Sequence, residues 1–370
     1  MQAVPLSGRS FGFGGAKRGP YLTQVAGTDI DVSLITINYN SAAETIELLK
    51  SLKAHRPQGL HVEVLVVDNA SRPEDFAQLE SYWTTEAGSP VAGDKAPGFA
   101  MRLLRSQINL GFSGGNMYGA YAAGGKYLLF LNNDCLVASD IFSPFVDFMQ
   151  NHQPPAKIAM LGGQSIGSDG KKATSYGMLP TLTEKFFGRG IARACGSASA
   201  SAPPSISFKG QQARAVDLVS GSCMFVEAET FFKLGGLDPS FFLYCEEEDY
   251  GKRAKNLGYQ IFHLPWITYQ HAGSVSTRGS HAEMTLKREF FISFFLYFRK
   301  HHGGLTVGVL RLFYFFKLLR KNMALAFFAL RGAPPQQSLR FQQGREAYPF
   351  AAKATQHQER AIENGLPGGL

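Results

Sequence analysis

Apolar runs typical of strands alternate with helical patterns between residues 30 and about 150. "DVSLITINYN" and "VEVLVVDNAS" are near-continuous apolar runs of the kind that strands buried on both faces require. Between them, "SAAETIELLKSLKA" places its apolar residues at helical spacing. "MRLLRSQ" and "KYLLFLNNDCLV" predict two further strands, separated by the Gly-rich turn "NLGFSGGN" and the helix "MYGAYAAG". This alternation predicts an α/β fold with a mostly parallel sheet flanked by helices.

The pattern is lost over residues 163–215, which we predict to be a variable loop. It returns with the strand "VDLVSGSCMFV", the short helix "AETFFKLGG", a helix from Tyr250 to Leu257 and the strand "YQIFHLPWITYQH". The predicted organisation is a flexible tail over 1–28, an α/β domain over 29–277, basic amphipathic helices over 278–332 and a second flexible tail over 333–370.

Polar residues follow the carboxyl ends of the first four predicted strands. They are Asn38 and Asn40, Asp68 and Asn69, Asn109, and Asn132 to Asp134. Ligands of open α/β sheets bind beyond these strand ends. Any one cluster alone is better explained as a turn, since Asn, Asp and Gly dominate turns. All four together, with an acidic run further along the chain, favour one shared site.

The acidic run follows an aromatic segment in "FFLYCEEEDYGKR". Neither a solvated loop nor a core strand accounts for Glu246, Glu247, Glu248 and Asp249 in that position. A functional site that places carboxylates against apolar side chains would account for this arrangement. Burial in such a site would raise the pKa values of the carboxyl groups. The alternative is an acidic first turn of a helix, stabilised by the helix dipole. We assign Asp249 to that structural role.

Composition and charge indicate the cellular compartment but do not identify the class of binding partner. The 370 residues carry a net charge of +8, with a pI near 9.2, which suits nucleic acid, anionic lipid or a phosphorylated substrate. The cysteines Cys135, Cys195, Cys223 and Cys245 form no CxxC pair, which favours a reducing compartment. No signal peptide or spanning segment is evident. We therefore expect a cytoplasmic protein, with any membrane contact made from the side.

Residues 287–331 combine aromatic and basic side chains. Nine Lys and Arg residues are opposed only by Glu289, and Phe291, Phe294 and Phe298 fall on one helical face. An apolar face beside a cationic face is typical of a helix that lies in the surface of an anionic membrane. We expect this membrane to be the inner leaflet. The alternative is helices packed on the main domain with solvated basic residues. The interleaving of charge with a continuous apolar face argues against nucleic acid.

The motifs resemble those of family 2 glycosyltransferases of the GT-A fold, particularly the bacterial rhamnosyltransferase-like branch. The matching segments occur in the family's order: "TINYNS", "VLVVDNAS", "NLGFSGGNMYG", "LFLNNDCLV", "SGSCMFV", "GGLDPSFFLYCEEEDYGKRAKNLGY" and "HAGSVST". The resemblance implies a catalytic domain over 29–277, with 163–215 on the acceptor side. It also implies sugar transfer from a dTDP- or UDP-sugar, with dTDP-L-rhamnose the first choice, to a glycan or lipid-linked acceptor.

The resemblance also assigns residues to the donor. Asp68 matches the aspartate that hydrogen-bonds the pyrimidine ring, and the nucleotide-sugar positions are Asn38, Asn109, Gly111, Asn116 and Asn132. Asp134 and His271 match ligands of a divalent cation, for which Mg²⁺ or Mn²⁺ suits an oxygen-lined site. The chain departs from the family at Asn132, where many members carry aspartate, and this removes one charge next to the metal.

Glu247 matches the general base that takes the proton of the acceptor hydroxyl. Glu246 is the supporting carboxylate and the second choice for the base. A lone base without a carboxylate nucleophile implies direct displacement, which inverts the anomeric centre.

The motifs exclude some other functions and leave two alternatives. A Rossmann dehydrogenase is excluded because no GxGxxG follows the first strand, and "GAYAAGGKY" lacks the spacing of a Walker loop. A sugar nucleotidyltransferase and a non-catalytic glycan-binding module of the same fold stay open as alternatives. The oligomeric state stays open as well.

Overall fold

The structure is a computed structural model that describes residues 30–87, 99–152, 157–186, 205–271 and 280–330. The two predicted tails, 1–28 and 333–370, lie outside these residues. The chain divides into two compact units, each taken by itself below. The larger one holds the sheet, and the smaller one includes Ser240–Cys245 and the long C-terminal helix.

The first part of the larger unit is a regular series of strands and helices. Its elements are β1 (Val32–Asn38), α1 (Ala42–Ala54), β2 (Val62–Asn69), α2 (Pro73–Tyr82) with a π-helical turn at Trp83–Ala87, β3 (Phe99–Ser106), α3 (Gly111–Ala122) and β4 (Tyr127–Leu131). The four strands pair in parallel, and Asn38 is the register partner of Asp68. Parallel pairing therefore brings the polar strand ends to one edge of the sheet.

The second part adds strands of both directions. Its elements are β5 (Cys135–Leu136), α4 (Phe142–Asn151), β6 (Ile158–Ile166), β7 (Tyr176–Gly177), α5 (182–186), β8 (Ser205–Phe208), β9 (Gln211–Val216), β10 (Leu218–Val219), β11 (Cys223–Glu227), α6 (Ala228–Lys233), α7 (Glu246–Asn256) and β12 (Gln260–His271). The sheet order is β3-β2-β1-β4-β11-β6-β12-β9-β8, with β5 paired to β12. β11 runs antiparallel to both of its neighbours. The predicted α/β fold with a mostly parallel sheet is confirmed, and its second half is mixed.

Three segments differ from the sequence-based expectation. Part of the predicted loop 163–215 is regular, because β6 continues to Ile166 and the hairpin β8–β9 forms the edge of the sheet. The Gly-rich segment predicted as a turn is the start of α3. The acidic run is the first turn of α7, which begins four residues before the predicted Tyr250.

Apolar side chains cover both faces of the sheet. One face packs against α1 and α4, with Leu48 and Phe145 fully buried. The other face packs against α3, α6 and α7, with Met117 and Tyr250 buried. α3 lies so close to the strands that a Cβ on Gly119 would come within 2.5 Å of Ile35 Cγ2. This close packing fixes the start of α3 relative to the strand ends.

The smaller unit contains α8 (Ser280–Leu330), which is interrupted at Gly303 by a φ of +84°. The part before Gly303 is anchored to the preceding segment of the same unit, since Ser293 Oγ donates a hydrogen bond of 2.7 Å to the Leu243 carbonyl. Among the helices of the described residues, none is long and apolar enough to cross a membrane.

Candidate active site

Asn38 and Asp68 meet where β1 and β2 end, and both side chains are buried. Asn38 Nδ2 lies 2.9 Å from Asp68 Oδ2 and 2.9 Å from Asp75 Oδ2. Asp68 Oδ1 accepts the Ser71 amide at 3.3 Å, and Arg105 Nε lies 3.5 Å away. A buried carboxylate needs such partners to remain charged. Asp68 therefore organises the strand ends, and its contact with a pyrimidine ring stays a prediction.

The start of α3 is held by Asn69, at the end of β2. Asn69 Nδ2 donates to Asn109 Oδ1 at 3.0 Å and to the Gly111 carbonyl at 3.1 Å. Gly111 has a φ of +71°, a conformation that glycine adopts without steric cost. Asn116, also buried, donates to the Phe112 carbonyl at 3.1 Å. The predicted donor residues Asn109, Gly111 and Asn116 thus belong to one helix start at the edge of the sheet.

Asp134 and His271 form a pair of possible metal ligands. His271 Nε2 lies 3.1 Å from Asp134 Oδ1, and both side chains are partly exposed. With Cys135 they are the group of three potential ligands found among the described residues, with ligand atoms within 4.8 Å of one another. Burial raises the pKa of the Cys135 thiol well above its usual range, and the negative charge of Asp134 adds to this. The thiolate of Cys135 is therefore disfavoured in the metal-free protein, and the carboxylate and the imidazole are the ligands that the motifs predict.

Asn132 and Asn133 connect this pair to the neighbouring strands. The Asn132 amide donates to the Ser222 carbonyl at 3.0 Å, which places Asn132 next to the start of β11. Asn133 Nδ2 lies 2.9 Å from Thr45 Oγ1, and Thr45 donates to Asn38 Oδ1 at 2.8 Å. Thr45 and Asn133 carry no signal of their own in the sequence, yet they link the metal-ligand pair to the end of β1.

The acidic run has its carboxyl groups packed together at the start of α7. The Oε2 atoms of Glu246, Glu247 and Glu248 are buried, and none of them has a hydrogen-bond partner among the described residues. Glu247 Oε1 lies 3.5 Å from the position that a Cβ of Gly221 would occupy. The Gly221 backbone hydrogen-bonds Glu247. Unpartnered buried carboxylate oxygens are costly to a folded protein, and this is typical of functional sites.

The pKa values of the three glutamates are all raised, but by different combinations of causes. Burial and the charge of Glu247 raise the pKa of Glu246 well above its usual range, and the same causes raise the pKa of Glu248 to about 8. Burial also raises the pKa of Glu247, but hydrogen bonds from Glu246, Glu248 and Gly221 oppose that rise. Among the three glutamates, Glu247 is therefore the one whose charged form is favoured by hydrogen bonds from both neighbours.

Asp249 plays a different part from the three glutamates. It is fully buried and bonds Arg253 one helical turn later, with Nη2 at 2.8 Å and Nε at 2.9 Å. Arg253 in turn donates to the carbonyls of Leu234 and Gly236. These contacts agree with the structural role expected of Asp249, because they tie α7 to the loop after α6.

Gly221 joins the acidic run to the rest of the site. A Cβ at this position would lie 3.4 Å from the Phe112 ring, at the start of α3, and 3.5 Å from Glu247. The next residue, Ser222, accepts the Asn132 amide and lies 2.7 Å from the Tyr269 hydroxyl. Hydrogen bonds and packing contacts between neighbouring residues therefore link Asp68, at the end of β2, to Glu247, at the start of α7. Of the polar residues predicted at the strand ends, Asn40 is the exception. Its φ of 53° and the hydrogen bond that its side chain accepts from the Arg72 amide are typical of a turn residue.

Comparisons with known proteins agree with this architecture. The model of the family described as "Glycosyl transferase family 2" matches residues 33–187. The resemblance to family 2 glycosyltransferases is thereby confirmed for this part of the chain. The rhamnosyltransferase-like branch is not distinguished. No curated protein matches the chain.

Two solved structures share the fold at low sequence identity. The mannosyltransferase PcManGT from Pyrobaculum calidifontis, in complex with GDP-Man and Mn²⁺, is 17% identical with a TM-score of 0.51, and the match covers 89% of this chain and 88% of that one. GalNAc-T7, solved with UDP, GalNAc and Mn²⁺, is 15% identical with a TM-score of 0.50. That match covers 71% of this chain but only 47% of GalNAc-T7. At such identities the comparison establishes the GT-A fold and nothing finer.

Proposed function

We propose that this protein is an inverting glycosyltransferase that moves a sugar from a nucleotide diphosphate to a hydroxyl group of a glycan or lipid-linked acceptor. The observation that carries the proposal is the position of the Glu247 carboxyl group. It lies against Gly221 and is connected through Ser222 and Asn132 to the segment that bears Asp134. Direct displacement needs a proton acceptor on one side of the sugar and a held diphosphate on the other.

The donor would bind along the strand ends and the start of α3. Asn38, Asp68 and Asn116 are assigned to the nucleoside, and Asn109, Gly111 and Asn132 to the sugar diphosphate. The amides of a helix start favour negative charge, since the N-terminus of a helix carries its positive dipole. Glycines at the start of α3 leave room for a ligand to approach the backbone.

Asp134 and His271 fit a divalent cation. Their donor atoms, a carboxylate oxygen and an imidazole nitrogen 3.1 Å apart, are partly exposed, so water and diphosphate oxygens could complete the coordination. Mn²⁺ accepts both kinds of ligand more readily than Mg²⁺, which prefers oxygen. When bound, such a cation neutralises the charge of the departing diphosphate.

Glu247 is assigned as the general base because it lies beside Gly221 and because hydrogen bonds from its neighbours favour its charged form. It takes the proton of the acceptor hydroxyl while that oxygen forms a bond to the anomeric carbon. The bond from the anomeric carbon to the diphosphate oxygen breaks, and the electron pair leaves with the diphosphate. Attack from the side opposite to the leaving group inverts the anomeric centre. Glu246, whose carboxyl group is buried beside Glu247, is assigned to orienting Glu247 and the acceptor.

The donor proposed first is dTDP-L-rhamnose, on the basis of the motifs. The complexes of related fold contain UDP with GalNAc and, separately, GDP-Man, so uridine and guanosine donors belong in the same comparison. The proposed setting is the cytoplasm, at the inner membrane when the acceptor is lipid-linked.

The test is a thermal-shift comparison of dTDP-, UDP- and GDP-sugars, each with and without Mn²⁺. A ligand that binds only the folded state raises the Tm in proportion to the logarithm of its concentration over Kd. We expect one nucleotide class to raise the Tm, more strongly with Mn²⁺, and the corresponding free nucleoside diphosphate to compete. No shift with any nucleotide sugar, with or without metal, would reject the proposal.

A further inference from the structure

The two parts of α8 pack against each other and leave one face of the second part open. The Tyr314 ring contacts the rings of Phe291, Phe294 and Phe295, with centroids 5.8 to 6.1 Å apart. Val307 and Leu310, on the same side of the second part, are buried. Because these contacts join residues before and after Gly303, α8 forms a helical hairpin, and within the described part of the chain only one side of its second part is covered.

The opposite side carries a line of exposed apolar residues, which we name the apolar stripe. It consists of Leu305, Val309, Leu312, Phe316, Leu319 and Met323. Leu305 is 86% exposed and Met323 is 66% exposed. Their spacing alternates between four and three residues, so they lie on one face of the helix. At about 1.5 Å per residue the stripe is roughly 27 Å long. A contiguous exposed apolar surface of this kind marks an interaction site.

Basic residues border the apolar stripe on both sides. With helical positions about 100° apart, Arg311 falls on one flank of the stripe and Arg320 on the other. Both are exposed, as is Lys317 on the same helix. No Asp or Glu occurs between Glu289 and Glu346. Arg can bury its methylene groups beside an apolar surface while its charged end stays in a polar layer.

We propose that the apolar stripe lies in the headgroup boundary of an anionic lipid bilayer, with Arg311 and Arg320 at the lipid phosphates. An apolar face between two cationic flanks matches the layered polarity of that boundary. A second copy of this chain fits less well, because pairing two stripes would bring Arg311, Lys317 and Arg320 of both chains together without an acidic residue of this segment to neutralise them. The inference stands on α8 alone and does not depend on transferase activity.

The test is flotation of the full chain with vesicles of phosphatidylcholine alone and of phosphatidylcholine with phosphatidylglycerol. We expect the protein to float with the anionic vesicles and to be released as salt screens the charges. Substituting Leu305→Ser, Leu312→Ser and Phe316→Ser together should weaken this binding at least about 100-fold, since each side chain loses its apolar burial. The matched control is Leu257→Ser, at a residue 62% exposed in the other unit, which should bind as the native chain does.

A second variant separates charge from apolar contact and keeps every apolar residue of α8. Arg311→Gln with Arg320→Gln should weaken binding to anionic vesicles about fivefold for each charge removed, without changing any residual binding to neutral vesicles. This variant also keeps the proposal testable if the triple serine variant loses helicity by circular dichroism.

Three outcomes would overturn the proposal. One is the absence of flotation with anionic vesicles. Another is binding that the arginine variant and a helical triple serine variant leave unchanged. The third is a dimer, or a complex with an acidic protein, that disappears in the triple serine variant while vesicle binding persists. That result would show that the apolar stripe is a protein interface.

Discussion

His271 Nε2 lies 3.1 Å from Asp134 Oδ1, although the two residues come from distant parts of the chain. The contact results from strand pairing, because β12 runs antiparallel to β5 with His271 opposite Cys135. The last residue of β12 is thereby brought to the residue that precedes β5. A pair of ligands fixed by backbone hydrogen bonds needs little rearrangement to accept an ion.

The metal assignment predicts that Asp134→Asn and His271→Ala each weaken Mn²⁺ binding at least about 10-fold, because each removes one of two protein ligands. Free Mn²⁺ measured by electron paramagnetic resonance reports this without any assay of activity. Asp169→Asn is the control, since that carboxylate is 61% exposed and pairs with the surface residue Lys171. Native affinity in both site variants would show that the pair is structural.

Because Gly221 lies beside Glu247, we expect activity to depend on the size of the side chain at residue 221. A Cβ at this position would make ordinary contacts of 3.4 Å with Phe112 and 3.5 Å with Glu247, so Gly221→Ala should fold and keep most of its activity. Gly221→Leu fills the space beside the carboxylate and displaces it. Because a base displaced by about 1 Å can cost on the order of 100-fold, turnover should fall by about that factor. Equal turnover of the alanine and leucine variants would place the reaction elsewhere.

Because Arg253 pairs with the buried Asp249, we expect its substitution to have a large effect on stability. Arg253→Ala removes the guanidinium that pairs with the buried Asp249, and we expect the free energy of unfolding to fall by about 3–5 kcal/mol. The control is Lys255→Ala, which breaks the pair with Asp217, where the lysine is 59% exposed and the expected loss is below about 1 kcal/mol. Urea unfolding measures both. Similar losses in the two variants would mean that the Asp249 pair is no more important than a surface pair.

The acidic run predicts how stability depends on pH. Burial and the charge of Glu247 raise the pKa of Glu248 from 4.5 to about 8. Between these values the unfolded chain has released a proton that the folded protein retains, so the free energy of unfolding falls as pH rises through this window. The slope is at most about 1.4 kcal/mol per pH unit for one proton.

Glu248→Gln removes this contribution and should flatten the fall in stability between pH 5 and pH 8, as measured by urea unfolding. Glu229→Gln is the control, because Glu229 is an exposed acid in the first turn of α6. If the Glu248 variant kept the native dependence of the free energy of unfolding on pH, the prediction would be wrong, because the Glu248 carboxyl group would then titrate as it does in the unfolded chain.

The sequence predicted the first half of the sheet because local patterns carry that information. Continuous apolar runs marked β2 and β4, and polar residues at their ends marked the edge of the sheet. The start of α3 was missed because glycines favour turns, whereas here close packing against Ile37 and Ile35 holds Gly115 and Gly119 in a helix.

Non-local contacts explain the rest of what the sequence did not reveal. The hairpin β8–β9 has few buried apolar residues, so β9 is specified by pairing with β12, and β8 by pairing with β9, and not by their own pattern. The link from Asn133 through Thr45 to Asn38 joins residues far apart in the chain, and no local spacing encodes it. The choice between Glu246 and Glu247 likewise depends on Gly221, which only the fold brings near.

The central claim is that Glu247 takes the proton of the acceptor, and the substitution Glu247→Gln tests it most directly. Gln keeps the size of the side chain and removes the base. General-base catalysis contributes about 100- to 10,000-fold, so turnover of the donor identified by thermal shift should fall by that factor, while the nucleotide-induced rise in Tm is retained. Undiminished transfer by this variant, with Glu246→Gln inactive instead, would contradict the assignment, and undiminished transfer by both variants would contradict the account as a whole.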